Sequence, residues 1–289
     1  MQRRDFLLTT AAATAASLRA QTPDSAKLSR IAIMSICFNP ILKTPARPDD
    51  PERTLDILDL PQVIADRYHV HNVELQHSHF LSPEPAYLSE FRARMEKAKS
   101  RMTQINLEFG ALNISTADPV VRLETIDLTK RWIDHAAVLG CPRVMVNQGT
   151  LAPDVRPAAI ATLKTLAEYG KPKNVRITME NKDTGGPRPG ATWEVVREVI
   201  EAAGIYSNPD IGNFPDPEGR APGLRALFPL CSGSCHCHYS PENYSEADAI
   251  RVSKEAGYKG LYTIEAVRSN GPDPYTAVRT ILDELLKDI

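Results

Sequence analysis

The sequence has almost no excess of charge of either sign, because 34 lysines and arginines stand against 36 aspartates and glutamates in 289 residues. The formal net charge of -2 offers no broad attraction to nucleic acid or to an anionic membrane surface. Beyond the first 20 residues, no stretch is apolar over the length that a membrane-spanning helix needs. We therefore expect a small-molecule ligand, with neither a nucleic-acid partner nor stable membrane insertion after processing.

Cysteine is also scarce, and its five positions lack the regular spacing of a disulfide framework. A dinucleotide-binding motif is missing as well, because no Gly-x-Gly-x-x-Gly follows the first predicted strand. This absence counts against an open, doubly wound sheet of the dinucleotide-binding kind.

The N-terminus has the pattern of an export signal, with Arg3 and Arg4 directly before an apolar, alanine-rich run that continues to about Leu18. The pattern resembles a twin-arginine signal, a receptor-read address that would take the chain to the periplasm or otherwise export it. We place the signal peptide at residues 1–20, with cleavage after Ala20 and with Ala15 and Ala16 as competing small-residue sites. An uncleaved anchor is disfavoured, because the apolar run is shorter than the roughly 20 residues of a spanning helix.

Past this segment, short β-rich runs alternate with longer helical stretches, which is typical of parallel βαβ units. The predicted strands are 31–37, 72–75, either 104–107 or 111–115, 144–147, 176–180, 205–210, 234–238 and 261–266. Eight such units are the number that closes a barrel. We therefore predict an α/β protein, a single-domain (β/α)8 TIM barrel over residues 28–289, in preference to the open sheet.

Polar residues end the last four predicted strands, namely Glu180, Asp210, His238 and Glu265. They follow one another after 30, 28 and 27 residues, which is one βα unit each. Active sites of TIM barrels are built at the carboxyl ends of the strands, so these four side chains are expected to meet at one mouth. The two-residue alternation of a strand turns Glu180 and Glu265 towards the barrel axis.

Three carboxylates at one mouth would repel each other in a low-dielectric site unless a cation neutralises them. One divalent metal is the simplest such cation. Oxygen-rich ligation with one imidazole suits Mn²⁺, which we favour, and also Mg²⁺, Co²⁺ or Zn²⁺. The alternative is that Glu180 and Glu265 only form ion pairs with barrel cations such as Arg176 or Lys182.

Segments 178–181, 210–213, 236–238 and 257–265 read Thr-Met-Glu-Asn, Asp-Ile-Gly-Asn, His-Cys-His and Gly-Tyr-Lys-Gly-Leu-Tyr-Thr-Ile-Glu. They resemble the xylose isomerase-like TIM barrel superfamily, particularly its sugar phosphate isomerase/epimerase branch, and the resemblance covers nearly the whole mature chain. It implies that one metal is bound by the four strand-end residues, Glu180, Asp210, His238 and Glu265.

The resemblance also implies the chemistry of a metal-dependent sugar isomerase or epimerase acting on a ketose, keto-sugar or related polyol. Glu180 and Glu265 would be an acid/base pair, one on each face of the carbon next to the substrate carbonyl, with an enediolate between the two proton transfers. His236 would lie one layer deeper than His238, which is nearer the end of its strand.

Further candidate substrate contacts are Glu74, Asn147, Lys182, Asn213 and His236. Asn213 stands where many relatives have histidine, and Tyr239-Ser240 replaces their Lys-Asp, so the resemblance leaves the substrate open. A metal-dependent dehydratase of a cyclitol or keto-sugar and a carbohydrate-binding barrel without turnover are alternative functions. A homo-oligomer is compatible with the sequence.

Replacing both Arg3 and Arg4 by lysine is expected to block export, because the twin-arginine receptor reads the arginine pair itself. Pulse-chase fractionation of periplasm and cytoplasm measures the processed protein. Arg19→Lys is the matched control, since it changes an arginine of the same segment outside the pair, and it is expected to leave export intact. Normal export and processing of the double variant would show that the twin-arginine assignment is wrong.

Overall fold

A computed structural model of the chain describes residues 23–182, 191–238, 240, 243–266 and 273–289. The predicted signal peptide, residues 1–20, lies outside the described residues. In the described part the strands are β1 Ile31–Met34, β2 Asn72–Gln76, β3 Arg101–Asn106, β4 Arg143–Met145, β5 Arg176–Met179, β6 Tyr206–Ser207, β7 Ser234–Cys237 and β8 Leu261–Ile264. The α-helices there are α1 Pro23–Leu28, α2 Leu60–Tyr68, α3 Pro85–Lys97, α4 Pro119–Leu139, α5 Arg156–Gly170, α6 Trp193–Ala203, α7 Pro217–Leu227, α8 Glu246–Glu255 and α9 Pro274–Asp288.

The strands pair in parallel in the order β6-β5-β4-β3-β2-β1-β8-β7. The two edges of this sheet meet through isolated parallel bridges, Ser207 with Cys231 and Asp210 with His236. At the second bridge the His236 amide donates to the Pro209 carbonyl at 2.9 Å, and the Ile211 amide donates to the His236 carbonyl at 3.1 Å. The sheet therefore curls round on itself, and the predicted (β/α)8 barrel is confirmed.

Several strands end earlier than the sequence predicts. The first stops at Met34, because Ser35–Phe38 turns into a 3-10 helix. β6 holds only Tyr206–Ser207, and Pro209 has no amide proton to extend its pairing. Of the two candidates for the third strand, 104–107 overlaps β3, whereas 111–115 is wrong because that segment forms turns after Gly110, whose φ is 65°.

Helix boundaries follow local chemistry, as α4 illustrates. The Asp118 carboxylate accepts from the amides of Val120 and Val121, and Pro119 occupies the first helical turn, where a missing amide proton costs nothing. At the other end Gly140 adopts φ 70°, the left-handed conformation that commonly closes a helix. Capping thus fixes the length of the helix that connects β3 to β4 and packs against β4.

The barrel interior is polar, whereas the space between sheet and helices is apolar. Inside, the Thr178 hydroxyl donates to Gln104 Oε1 at 3.0 Å, and the Ser234 and Thr263 hydroxyls lie 2.9 Å apart. Cys235 and Cys237 belong to the buried apolar core instead, as strand alternation predicts. No helix of the described part is long and apolar enough to cross a membrane.

Gly223 of α7 is expected to resist substitution. A Cβ there would lie 2.4 Å from Phe214 Cε1 and 2.9 Å from Trp193 Cγ. Gly223→Ala would therefore overpack the contact between α7 and these two rings, of which Phe214 is next to Asn213 in the chain. We expect a loss of about 1–3 kcal/mol in the free energy of unfolding, measured with urea. The exposed Arg225→Ala in the same helix is the control, expected within about 0.5 kcal/mol of the parent. An equally stable Gly223→Ala variant would contradict this packing.

Candidate active site

The carboxyl ends of β5 to β8 bring the four predicted strand-end residues to one mouth of the barrel. The cavity there has a volume of about 790 Å³, and its lining includes Glu180, His238 and Glu265. Asp210 lies just beneath the surface, with 1% of its area exposed. The structure therefore brings the four residues to one end of the barrel, and their roles as ligands and catalysts stay predictions.

A compact donor set lies at the centre of the mouth. Glu180, Asp210, His236 and Glu265 each offer one ligand atom, and these atoms all lie within 4.8 Å of one another. Donors that bind one Mg²⁺ or Zn²⁺ at about 2.1 Å are at most about 4.2 Å apart. Small side-chain shifts would therefore bring the atoms of this cluster to coordinating distances. The chemistry and spacing of the donors therefore fit a divalent metal.

Two imidazoles face these carboxylates from different depths. His236 is 1% exposed, and its Nδ1 lies 3.0 Å from Glu180 Oε2 and 3.0 Å from Glu265 Oε2. His238 is nearer the solvent, with its Nε2 2.9 Å from Asp210 Oδ2 and 3.7 Å from Glu265 Oε2. The deeper ring thus completes the compact donor set, while His238, the ligand predicted from the sequence, adjoins two of its members.

The charges at the mouth stabilise one another. Burial alone would raise the pKa of the Glu180 carboxyl, but the Lys182 ammonium and His236 outweigh it and hold that pKa below its usual value. Burial likewise opposes the charge on Glu265, and His236 again makes the net shift of its pKa downward. Burial disfavours the charged form of His238, yet Asp210 raises its pKa to about 9. The site therefore favours charged carboxylates beside charged imidazoles.

Asp210 is held by its own loop and by the neighbouring strand end. Its Oδ1 accepts from the Gly212 and Asn213 amides at 2.8 and 3.1 Å, and its Oδ2 accepts from Asn213 Nδ2 at 2.8 Å. The Asn181 side chain makes two hydrogen bonds to the Asp210 backbone, donating to its carbonyl at 3.0 Å and accepting from its amide at 2.9 Å. Asn213 thus orients Asp210 as well as lining the cavity.

Lys182 lies at the rim between two carboxylates. Its Nζ is 3.1 Å from Glu180 Oε1 and also contacts Glu108, which in turn accepts from Asn147 Nδ2 at 2.9 Å. The Glu180–Lys182 ion pair considered from the sequence therefore forms, whereas Arg176 lies over the Tyr206 ring instead. Glu108 is not among the residues predicted from the sequence. Its position just beyond the end of β3 would indicate a site residue once the third strand is placed at 101–106.

Glu74 occupies a different place from the one that a substrate contact would need. It is fully buried in β2, and its Oε1 lies 2.6 Å from His236 Nε2. Burial would raise the pKa of Glu74, but His236 outweighs it and lowers that pKa. Gln148, next to Asn147, is also buried and donates to the Glu180 carbonyl at 2.7 Å. Both side chains support the site from below its surface.

The chain is thus a TIM barrel whose polar site lies at the carboxyl ends of its strands. Carboxylates and imidazoles from the last four strands form that site. The profile of the xylose isomerase-like TIM barrel family matches residues 68–219, just over half of the chain. The chain belongs to this family, as its sequence motifs indicated. No curated protein matches the chain.

Solved structures share the fold at low sequence identity. An L-ribulose 3-epimerase has a TM-score of 0.70 at 16% identity, over 90% of this chain and 95% of that one. D-allulose 3-epimerase from Methylomonas sp. in complex with D-allulose gives 0.70 at 14%, over 90% and 97%. A xylose isomerase-like TIM barrel protein from Mycobacterium smegmatis in complex with magnesium gives 0.64 at 16%, over 91% and 98%. At such identities the likeness concerns the fold.

Mn²⁺ is expected to raise the melting temperature of metal-free protein, because a cation that binds only the folded chain stabilises it. At one hundred times the dissociation constant the stabilisation is about 2.7 kcal/mol. Thermal unfolding with and without EDTA measures the shift. Asp210→Asn, which weakens one donor, should need more Mn²⁺ for the same shift. The absence of any shift with Mn²⁺, Mg²⁺, Co²⁺ or Zn²⁺ would contradict a metal site.

Proposed function

We propose that the chain is a divalent-metal-dependent sugar isomerase or epimerase that acts on a ketose, keto-sugar or related polyol. The observation that carries the proposal is the convergence of Glu180 and Glu265, whose Oε2 atoms each lie 3.0 Å from the same nitrogen of His236. Two carboxylates so close together can contact one small substrate from two sides. The fold shared with an L-ribulose 3-epimerase and a D-allulose 3-epimerase supports this reading.

The proposed ligands of the metal are Glu180, Asp210, His238 and Glu265, with Mn²⁺ as the favoured ion. His238 is chosen because its Nε2 adjoins Asp210 and Glu265 on the solvent side of the cluster, whereas His236, although part of the compact donor set, is held at its Nε2 by Glu74 beneath the site. The magnesium complex of a similar fold supports a hard divalent ion. Such an ion would neutralise the carboxylates and polarise the oxygens of a bound substrate.

Proton transfer is assigned to Glu180 and Glu265. One carboxylate removes the proton from the carbon next to the substrate carbonyl, and the electron pair moves onto the carbonyl oxygen to give an enediolate. The other, in its acid form, returns a proton from the opposite face and inverts the carbon. The lowered pKa of both groups keeps the base ionised at neutral pH, so the acid of the pair must gain its proton from solvent or from the preceding turnover.

Substrate contacts are proposed for the polar side chains around this pair. A cavity of about 790 Å³ is within the range that holds a monosaccharide-sized ligand. Lys182, Asn147 and Asn213 line it and can hydrogen bond to hydroxyl or carbonyl oxygens. His236 also lines the cavity at its deeper end, whereas Glu74 would act from beneath the cavity floor. The export pattern at Arg3 and Arg4 supports the further proposal that this chemistry takes place in the periplasm.

Screening ketoses, keto-sugars and cyclitols in deuterium oxide with Mn²⁺-loaded protein tests the proposal. An isomerase or epimerase gives a rearranged sugar with deuterium on the carbon next to the carbonyl, read by NMR. A dehydratase instead gives a product that has lost water, read by mass spectrometry. Elimination alone, or no exchange with any compound, would overturn the proposed reaction.

Glu180→Gln and Glu265→Gln are each expected to slow turnover by about 10²- to 10⁴-fold, because an amide cannot serve as the base. Initial rates on the substrate found by the screen, at saturating Mn²⁺, measure the loss separately from weaker metal binding. Glu201→Gln, the same change at an exposed position of α6, is the control and should leave the rate unchanged. Near-parental rates in both metal-loaded, folded variants would rule out this acid/base assignment.

A further inference from the structure

Glu74 offers a fixed acceptor beneath the cavity. It is fully buried, and its Oε1 accepts from His236 Nε2 at 2.6 Å, Asn106 Nδ2 at 2.8 Å and Gln104 Nε2 at 3.1 Å. Hydrogen bonds from these donors offset the free-energy cost of burying the Glu74 charge. Because the loss of any one of them would be costly, the carboxylate is held in one orientation. The barrel thus holds this oxygen in one place.

His236 connects the Glu74 carboxylate to the carboxylates at the mouth of the barrel. The imidazole ring is rigid, so a contact at Nε2 fixes the direction in which Nδ1 points. That nitrogen lies 3.0 Å from Glu180 Oε2 and 3.0 Å from Glu265 Oε2, and the ring is 1% exposed. One ring therefore sets where two carboxylates from different strand ends come together.

We propose that Glu74 is a positioning residue that acts through His236 to hold Glu180 and Glu265 at the spacing their metal requires. The inference rests on the proposed function for the metal, but it needs no known substrate. Carboxylates that orient a histidine of a metal centre commonly affect metal affinity by about 10- to 100-fold. Glu74 takes this part here, although it lies below the cavity that the substrate would enter.

A purely structural role makes a different prediction. Glu74 Oε2 also lies 3.4 Å from the Ser234 hydroxyl, which pairs with Thr263, and Gln104 extends the buried polar network to Asn208. If Glu74 only filled this interior, its replacement would lower stability and leave metal affinity alone. Ser234→Ala is the matched control, because it removes a contact to the same carboxylate without touching His236.

Calorimetric titration of metal-free protein with Mn²⁺ alone, beside circular dichroism melts, decides between the two roles. Glu74→Asp keeps the charge but shortens the side chain away from Nε2, and Glu74→Gln keeps the shape but weakens the hydrogen bond by removing the charge. Both folded variants are expected to bind Mn²⁺ about 10- to 100-fold more weakly. Ser234→Ala should bind it as the parent does.

Parental affinity in both folded Glu74 variants would overturn the inference, and so would an equal loss in Ser234→Ala, since that would reflect general disturbance of the interior. Should the Glu74 variants fail to fold, His236→Gln provides the same titration with Glu74 and its amide donors intact, and unchanged affinity there also overturns the inference. A parent chain that binds no Mn²⁺ would instead remove the metal from the proposed function, and the inference with it.

Discussion

The burial of one imidazole among three carboxylates is the constraint on which the arrangement of this barrel depends. His236 meets Glu74 on one side of its ring, and Glu180 and Glu265 on the other. Like charges so close in a low-dielectric interior would drive the strands apart without a compensating cation. Burial disfavours the charged imidazole, but Glu74 and Glu265 outweigh it and raise the pKa of His236 well above its usual value.

The polar character of the interior follows from this requirement. Large branched side chains usually fill the axis of a TIM barrel, but a charged centre needs neighbours that donate and accept hydrogen bonds. Gln104 serves several of them at once, donating towards Glu74 and Asn208 and accepting from Thr178. The apolar core is correspondingly displaced outward, between the sheet and the helices, where the cysteines of β7 also pack.

The sequence predicts the strand-end residues well because their pattern is local. Alternation along a strand and the length of one βα unit are enough to place Glu180, Asp210 and Glu265 at one mouth. The depth of a residue is not local, since it depends on the stagger between neighbouring strands. For this reason the sequence predicts Glu74 beside the substrate, whereas it lies under His236, and Glu108 cannot be assigned from a sequence that leaves two positions open for the third strand.

The short sixth strand has a consequence for the lifetime of the folded barrel. β6 and β7 meet through isolated bridges, one of which joins Asp210 and His236. Local opening starts where few hydrogen bonds must break together, so we expect this seam to open before the rest of the sheet. Opening it parts Asp210 from Glu265 while the remaining strands stay paired. A cation bound by both carboxylates would keep this seam closed. The resistance of the folded chain to proteases would then depend on the supply of metal.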